Sequence, residues 1–202
     1  MAFVNYIEKN VVTPIGEAMW AKVNTVVDYF EEQRKYVMNV VFNESDEKTM
    51  KAMFDKYLAD AKSLPENDGK KWRSLDDPQI CYKFDEKSGK IVFTFKTNAF
   101  WTKDGVETQT SVPIIDQYGK PFPKTTSIGN GSKVQVRFDP CWRHKSKDSN
   151  GLSMIMTMIM VHELVEYNGI STKGFDIKKK PDADTVFSGT TPDTIEDPFD
   201  GQ

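Results

Sequence analysis

The residues best suited to chemistry in this 202-residue chain are aromatic rings interleaved with cations. Residues 132–138 alternate Val134, Val136 and Phe138 with Lys133, Gln135 and Arg137, so a strand there would pack one face and present a cationic one. Trp142, Arg143, Lys145 and Lys147 follow as a basic loop whose tryptophan is expected to be exposed. Upstream, Lys96, Phe100, Trp101 and Lys103 repeat the arrangement, and Trp20 shares an outward face with Lys22. Cations spaced along a surface neutralise successive phosphates while flat rings stack on bases of any identity, which is what a single strand of nucleic acid demands. Each stacked base contributes about 1–3 kcal/mol, so two or three well-placed rings would dominate affinity. The expected contacts are Trp20, Lys22, Lys96, Trp101, Lys103, Lys133, Arg137, Trp142 and Arg143.

Against this stands the ordinary use of large aromatics as core filling. Phe93, Phe95 and Phe138 belong to the core, because their strand phase matches Ile91 and Val136. For Trp20, Trp101 and Trp142 the core and platform readings stand level. Lys70, Lys71, Trp72 and Arg73 read as a solvated loop. Enzyme signatures are weak: His144 and His162 lack metal-type spacing, and His162-Glu-Leu-Val-Glu166 departs from HExxH at its fifth position. Gly129-Asn-Gly131 lacks the GxGxxG pattern and reads as a tight turn. Asp139, Glu163 and Glu166 are the acids a Mg²⁺-dependent nuclease would use, a lesser alternative. No catalytic residue, metal or cofactor is expected.

The elements that must position these residues are mostly strands. Strand-like patterns occur at 18–23, 36–42, 79–84, 90–100, 111–115, 132–138 and 152–167, separated by Gly, Pro, Asn and Asp turns. In the first, Met19, Ala21 and Val23 alternate with Ala18, Trp20 and Lys22. One helix is expected over 45–62, where Met50, Met53, Phe54, Tyr57, Leu58 and Ala61 recur at helical spacing and Pro65 follows. Several strands with one inserted helix and no βα alternation point to a mainly β, closed or partly closed antiparallel barrel, of which the OB-fold is the best-known small example.

Composition agrees with one domain and appendages: 38% hydrophobic and 12% aromatic, with thirteen Phe and four Trp. No apolar run approaches the roughly 20 residues that span a bilayer, and the N-terminus lacks a secretory layout, so a cytoplasmic location is expected. Cys81 and Cys141 have no CxxC partner and are expected as reduced thiols. The net charge of −3 divides unevenly, because six acids and no Lys or Arg follow Pro181, leaving +3 on residues 1–180. The domain is therefore expected over 1–180, and 181–202 as an acidic, flexible tail. Asp193, Glu196, Asp197, Phe199 and Asp200 in that tail form a docking segment for a protein partner, or are simply disordered.

Three stretches together resemble the single-stranded-DNA-binding, helix-destabilising proteins of tailed phages. They are Thr13-Pro-Ile-Gly16 leading to Ala18 and Trp20, Ile128-Gly-Asn-Gly-Ser132-Lys-Val134, and Val161-His-Glu-Leu-Val-Glu166-Tyr167, within a match that spans most of residues 13–167. The resemblance implies an OB-fold with an inserted helix, a cationic aromatic groove for single strands, and an acidic tail that contacts replication proteins such as a polymerase or helicase. It also implies a role in phage DNA replication and recombination. Tails of that family end on an aromatic residue at or near the terminus, whereas Phe199 is followed here by Asp200, Gly201 and Gln202. Besides the nuclease, the competing expectation is a structural or adaptor β-barrel of a phage particle that binds a protein partner and no oligonucleotide.

Overall fold

The computed structural model describes residues 4–29, 33–77, 80–123, 126–146 and 149–166, of which 25–29, 33 and 145–146 are described by backbone alone. In chain order the strands and helix are β1 (Asn5–Tyr6), β2 (Val11–Val12), β3 (Gly16–Tyr29), β4 (Gln33–Val41), α1 (Glu44–Lys62), β5 (Lys71–Trp72), β6 (Tyr82–Asp85), β7 (Lys90–Asn98), β8 (Phe100–Lys103), β9 (Val106–Gln109), β10 (Ile114–Asp116), β11 (Lys133–Ser146) and β12 (Ser149–Glu163). Helix α1 begins where its sequence signals require. The Asn43 side chain accepts a hydrogen bond from the Asp46 amide at 2.9 Å, and Glu44, Asp46 and Glu47 meet the positive end of the helix dipole. Met50, Phe54, Tyr57 and Ala61 form its buried stripe.

Five strands close on one another through the pairs β3–β4, β4–β7, β7–β12, β12–β11 and β11–β3. Taken in chain order as strands one to five, they run 1-2-3-5-4 and return to 1, the Greek-key barrel of an OB-fold. The barrel is not wholly antiparallel as expected: β7 and β12 pair in parallel through Lys96 and Ile155. Closing a sheet on itself in this order brings strands three and five together in the same direction.

Several strand boundaries shift from expectation for local reasons. Residues 90–100 break at Ala99, and Phe100 opens a separate two-stranded hairpin, β8–β9. Strand β11 continues past Pro140 to Ser146, because the edge beside Pro140 is taken by the short β1 segment, with the Ile7 amide donating to the Pro140 carbonyl at 2.9 Å. The loop at 66–73 contains β5, whose Lys71 and Trp72 pair with Ser149 and Asn150. Gln79 and Tyr167 lie outside the described residues.

The core fills the barrel and the space beneath α1. Phe93, Phe95 and Phe138 are fully buried as expected, and Phe54 of α1 meets all three edge-on at centroid separations of 5.5, 6.4 and 6.1 Å. Gly16 lies against β4 so closely that a Cβ there would sit 2.4 Å from Val40 Cγ1. Only glycine therefore fits where the Thr13-Pro-Ile-Gly16 stretch enters the barrel.

Candidate nucleic-acid interface

One outward row of side chains crosses four barrel strands. Lys22 of β3 pairs with Val37 of β4, Val37 with Lys96 of β7, and Lys96 with Ile155 of β12. Residues directly opposite one another share a face, so Lys22 and Lys96 lie on the same surface, with Cα atoms about 10 Å apart for two strand spacings. Lys35, two residues before Val37, joins this face, and Arg143 enters from β11. Lys35, Lys96 and Arg143 line one cleft together with Tyr6, Asn98 and Ser153.

The electrostatics of this cleft are unusual for a protein surface. Burial holds Lys96 well below the ordinary lysine range, at about 8, and the neighbouring Lys35 charge adds to the effect. Burial also lowers Lys35, helped by repulsion from Arg143. The Nε of Arg143 is buried with no hydrogen-bond partner among the described residues. A fold that gathers three cations against desolvation and their mutual repulsion favours an anion between them, which would relieve both.

Next to the cleft stands the β8–β9 hairpin, held to the barrel by Arg34. The guanidinium of Arg34 lies 3.8 Å from the Phe100 ring centroid and pairs with the Glu107 carboxylate. The Arg34 carbonyl accepts from the Ala99 amide at 2.9 Å. The Tyr36 hydroxyl donates to the Thr110 carbonyl and accepts from Gln109 Nε2, each at 3.0 Å. Phe100 and Glu107 thus occupy the anchored face of the hairpin. Trp101, paired with Thr108, and Lys103, paired with Val106, occupy the other, and Trp101 is 49% exposed.

Trp20 reaches the surface by a different device. Between the pairs Met19–Asn39 and Lys22–Val37 strand β3 carries one extra residue, a β-bulge, and Trp20 has φ of 48°. Its amide donates to Asn130 Oδ1 at 2.7 Å, so the Gly129-Asn-Gly131 turn holds the bulge. The bulge resets the alternation: Ala18 and Val23 are buried, whereas Trp20 is 44% exposed and Lys22 is exposed.

Other expected contacts are placed elsewhere. Trp142 is a correction. It is only 5% exposed, continues the inward phase of Val134, Val136 and Phe138, and packs near Trp72 at 6.3 Å between ring centroids. That phase was readable once β11 is carried through Pro140. Lys133 lies ten residues from Arg143 along β11, about 33 Å away, and its ammonium pairs with Glu17 at 2.8 Å, which raises its pKa. Arg137 faces outward in mid-strand, its Nε donating to Thr157 Oγ1 at 3.2 Å. The side chains of Lys145 and Lys147 and the tail residues Asp193, Glu196, Asp197, Phe199 and Asp200 lie outside the described residues. The residues that sequence reasoning missed are Lys35, Arg34 and Tyr6. For Lys35 a signal existed, since it falls in phase with Val37 at the start of a strand pattern.

The nuclease acids do not assemble. Lys133 pairs with Glu163 and Asp139 lies six residues along β11, so Asp139 and Glu163 are about 20 Å apart. Among the described residues no group of three His, Cys, Asp or Glu side chains could hold a metal ion. Cys81 and Cys141 are buried and form no disulfide.

A five-stranded OB barrel with a basic cleft lined by its second, third, fourth and fifth strands defines the class, because the face of strands two and three is where OB-folds take oligonucleotides. The model of the family described as single-stranded DNA-binding protein, bacteriophage T7, matches residues 5–163, and the chain belongs to that family. The crystal structure of gp2.5, a single-stranded DNA-binding protein encoded by bacteriophage T7, is similar with a TM-score of 0.60 at 18% identity, over 92% of this chain and 99% of that one. A single-stranded DNA-binding protein from bacteriophage Enc34, solved in complex with single-stranded DNA, is similar with a TM-score of 0.59 at 10% identity, over 81% of this chain and 92% of that one. Both likenesses are of fold. No curated protein sequence matches the chain.

Proposed function

We propose that this protein binds single-stranded DNA without sequence preference and coats and protects unpaired strands during phage DNA replication and recombination. Family membership supports the reading, and one observation carries it: Lys35, Lys96 and Arg143 converge on the oligonucleotide face of the barrel, next to the hairpin that exposes the ring of Trp101. Phosphates occupy the cationic cleft and bases stack on the rings. The protein performs no covalent step. It prefers the unpaired strand, and by that difference in affinity it lowers the melting temperature of duplex. It works in the cytoplasm of the phage's host, and its acidic tail, residues 181–202, recruits replication proteins.

The test is titration with oligothymidine and with duplex of equal length, following tryptophan fluorescence over a salt series. The expected result is tight single-strand binding, weaker duplex binding, and a log–log salt slope of about −0.7 per phosphate neutralised. Absence of oligothymidine binding at low salt, or equal affinity for duplex, overturns the reading.

A further inference from the structure

Tyr6 carries an assignment that its place in the sequence does not suggest. The two-residue strand β1 pairs Tyr6 with Cys141, which sets the tyrosine on the same outward face as Arg143, two residues further along β11. The ring is 47% exposed and borders the cleft that holds Lys35, Lys96 and Arg143. The Lys9 ammonium rests 4.8 Å from the ring centroid, so the electron-rich face already serves a cation. Beside it on the same face, the Arg143 Nε donor is buried and unpartnered among the described residues. Met154 and Ile155 supply an apolar floor. An anion site, an apolar floor and a half-exposed ring within one cleft match the two parts of a nucleotide, the charged phosphate and the flat base.

We propose that this cleft is a nucleotide subsite, in which one phosphate docks on Lys35, Lys96 and Arg143 and the adjoining base stacks on Tyr6. The proposal rests on the reading of the protein as a single-strand binder and deepens it. The short β1 segment is thereby part of the binding surface, and Tyr6 is a contact for the base, while Arg143 is a contact for the phosphate. Stacking accepts any base, so the subsite adds affinity and no sequence preference.

The experiment compares oligothymidine with an abasic oligonucleotide of equal length, which keeps the phosphates and lacks the bases. Tyr6→Ala is expected to weaken oligothymidine binding by about 5- to 150-fold and to leave abasic binding unchanged. Tyr6→Phe keeps both affinities, and Arg143→Gln weakens both. Unchanged oligothymidine binding by Tyr6→Ala overturns the subsite, and so does an equal loss on both ligands, which would make the ring a scaffold for the cations alone. Failure of the wild-type protein to bind oligothymidine sinks the underlying reading instead. Should Tyr6→Ala not fold by circular dichroism, photocrosslinking of the wild-type protein to a 5-iodouracil oligonucleotide decides: an adduct on the peptide carrying Tyr6 supports the subsite, and its absence there refutes it.

Discussion

Raising the pH through Lys96 is the sharpest perturbation available for the basic cleft. In the free protein this lysine titrates at about 8, held down by burial and by the Lys35 charge, against an ordinary value of 10.5. A phosphate in the cleft favours the charged form of the lysine and returns the group toward its ordinary value, so binding takes up a proton. Affinity is therefore full below pH 8 and falls as pH rises through it. With full return to the ordinary value, linkage gives a loss of about tenfold between about pH 7 and 9. Lys35, also lowered by burial, adds to the loss with the same sign. The assay is oligothymidine affinity at constant ionic strength over that range, with Lys96→Arg as control, since arginine stays charged throughout and should flatten most of the profile. Stability supplies an independent readout. A lysine whose pKa is depressed on folding destabilises the folded state where it is charged, so its contribution rises with pH through 8. Lys96→Met should then melt higher than wild type at neutral pH while binding more weakly. A flat affinity profile in the wild-type protein, or a Lys96→Met variant that melts lower, would refute the reasoning.

Other consequences concern the scaffold and the hairpin. Gly16→Ala places a methyl 2.4 Å from Val40 Cγ1 and 2.7 Å from the Val41 carbonyl, and should cost about 1–3 kcal/mol or more in urea unfolding. Thr13→Val removes the hydroxyl that accepts from the buried Val136 amide at 3.0 Å, with an expected loss of about 1–3 kcal/mol by the same assay. Trp101→Ala should weaken oligothymidine binding by about 5- to 150-fold with little change in melting. Arg34→Gln frees the hairpin anchors at Phe100 and Glu107 and should reproduce part of that loss. The double variant should fall short of the sum, because both changes act on one platform.

The parts of the fold legible in the sequence are those specified by neighbours along the chain. Helix α1 was readable from the spacing of Met50, Phe54, Tyr57 and Ala61, and it begins at Glu44 on an Asn43 cap, one residue before the expected start. The inward phase of Val134, Val136 and Phe138 was readable from alternation, as were Phe93 and Phe95 in the core. Trp20 was correctly placed outward with Lys22, although by a bulge rather than by plain alternation. Trp142 was placed in a loop because the alternation was followed only to Phe138, whereas β11 runs on through Pro140. Proline is tolerated there through pairing with β1, more than a hundred residues away.

The candidate site divides in the same way. The chain itself determined the inventory: a β-rich barrel with one helix, basic residues interleaved with rings, and an acidic tail. Those follow from residue type and local periodicity, which tertiary structure does not alter. Which cations meet was decided only by barrel closure. Lys22, Lys35, Lys96 and Arg143 come from four strands and share one surface because of register between segments far apart in the sequence, whereas Lys133 is carried to the other end and paired with Glu17. The depressed pKa of Lys96 is likewise a property of packing, since desolvation and the neighbouring charge exist only after those strands have joined.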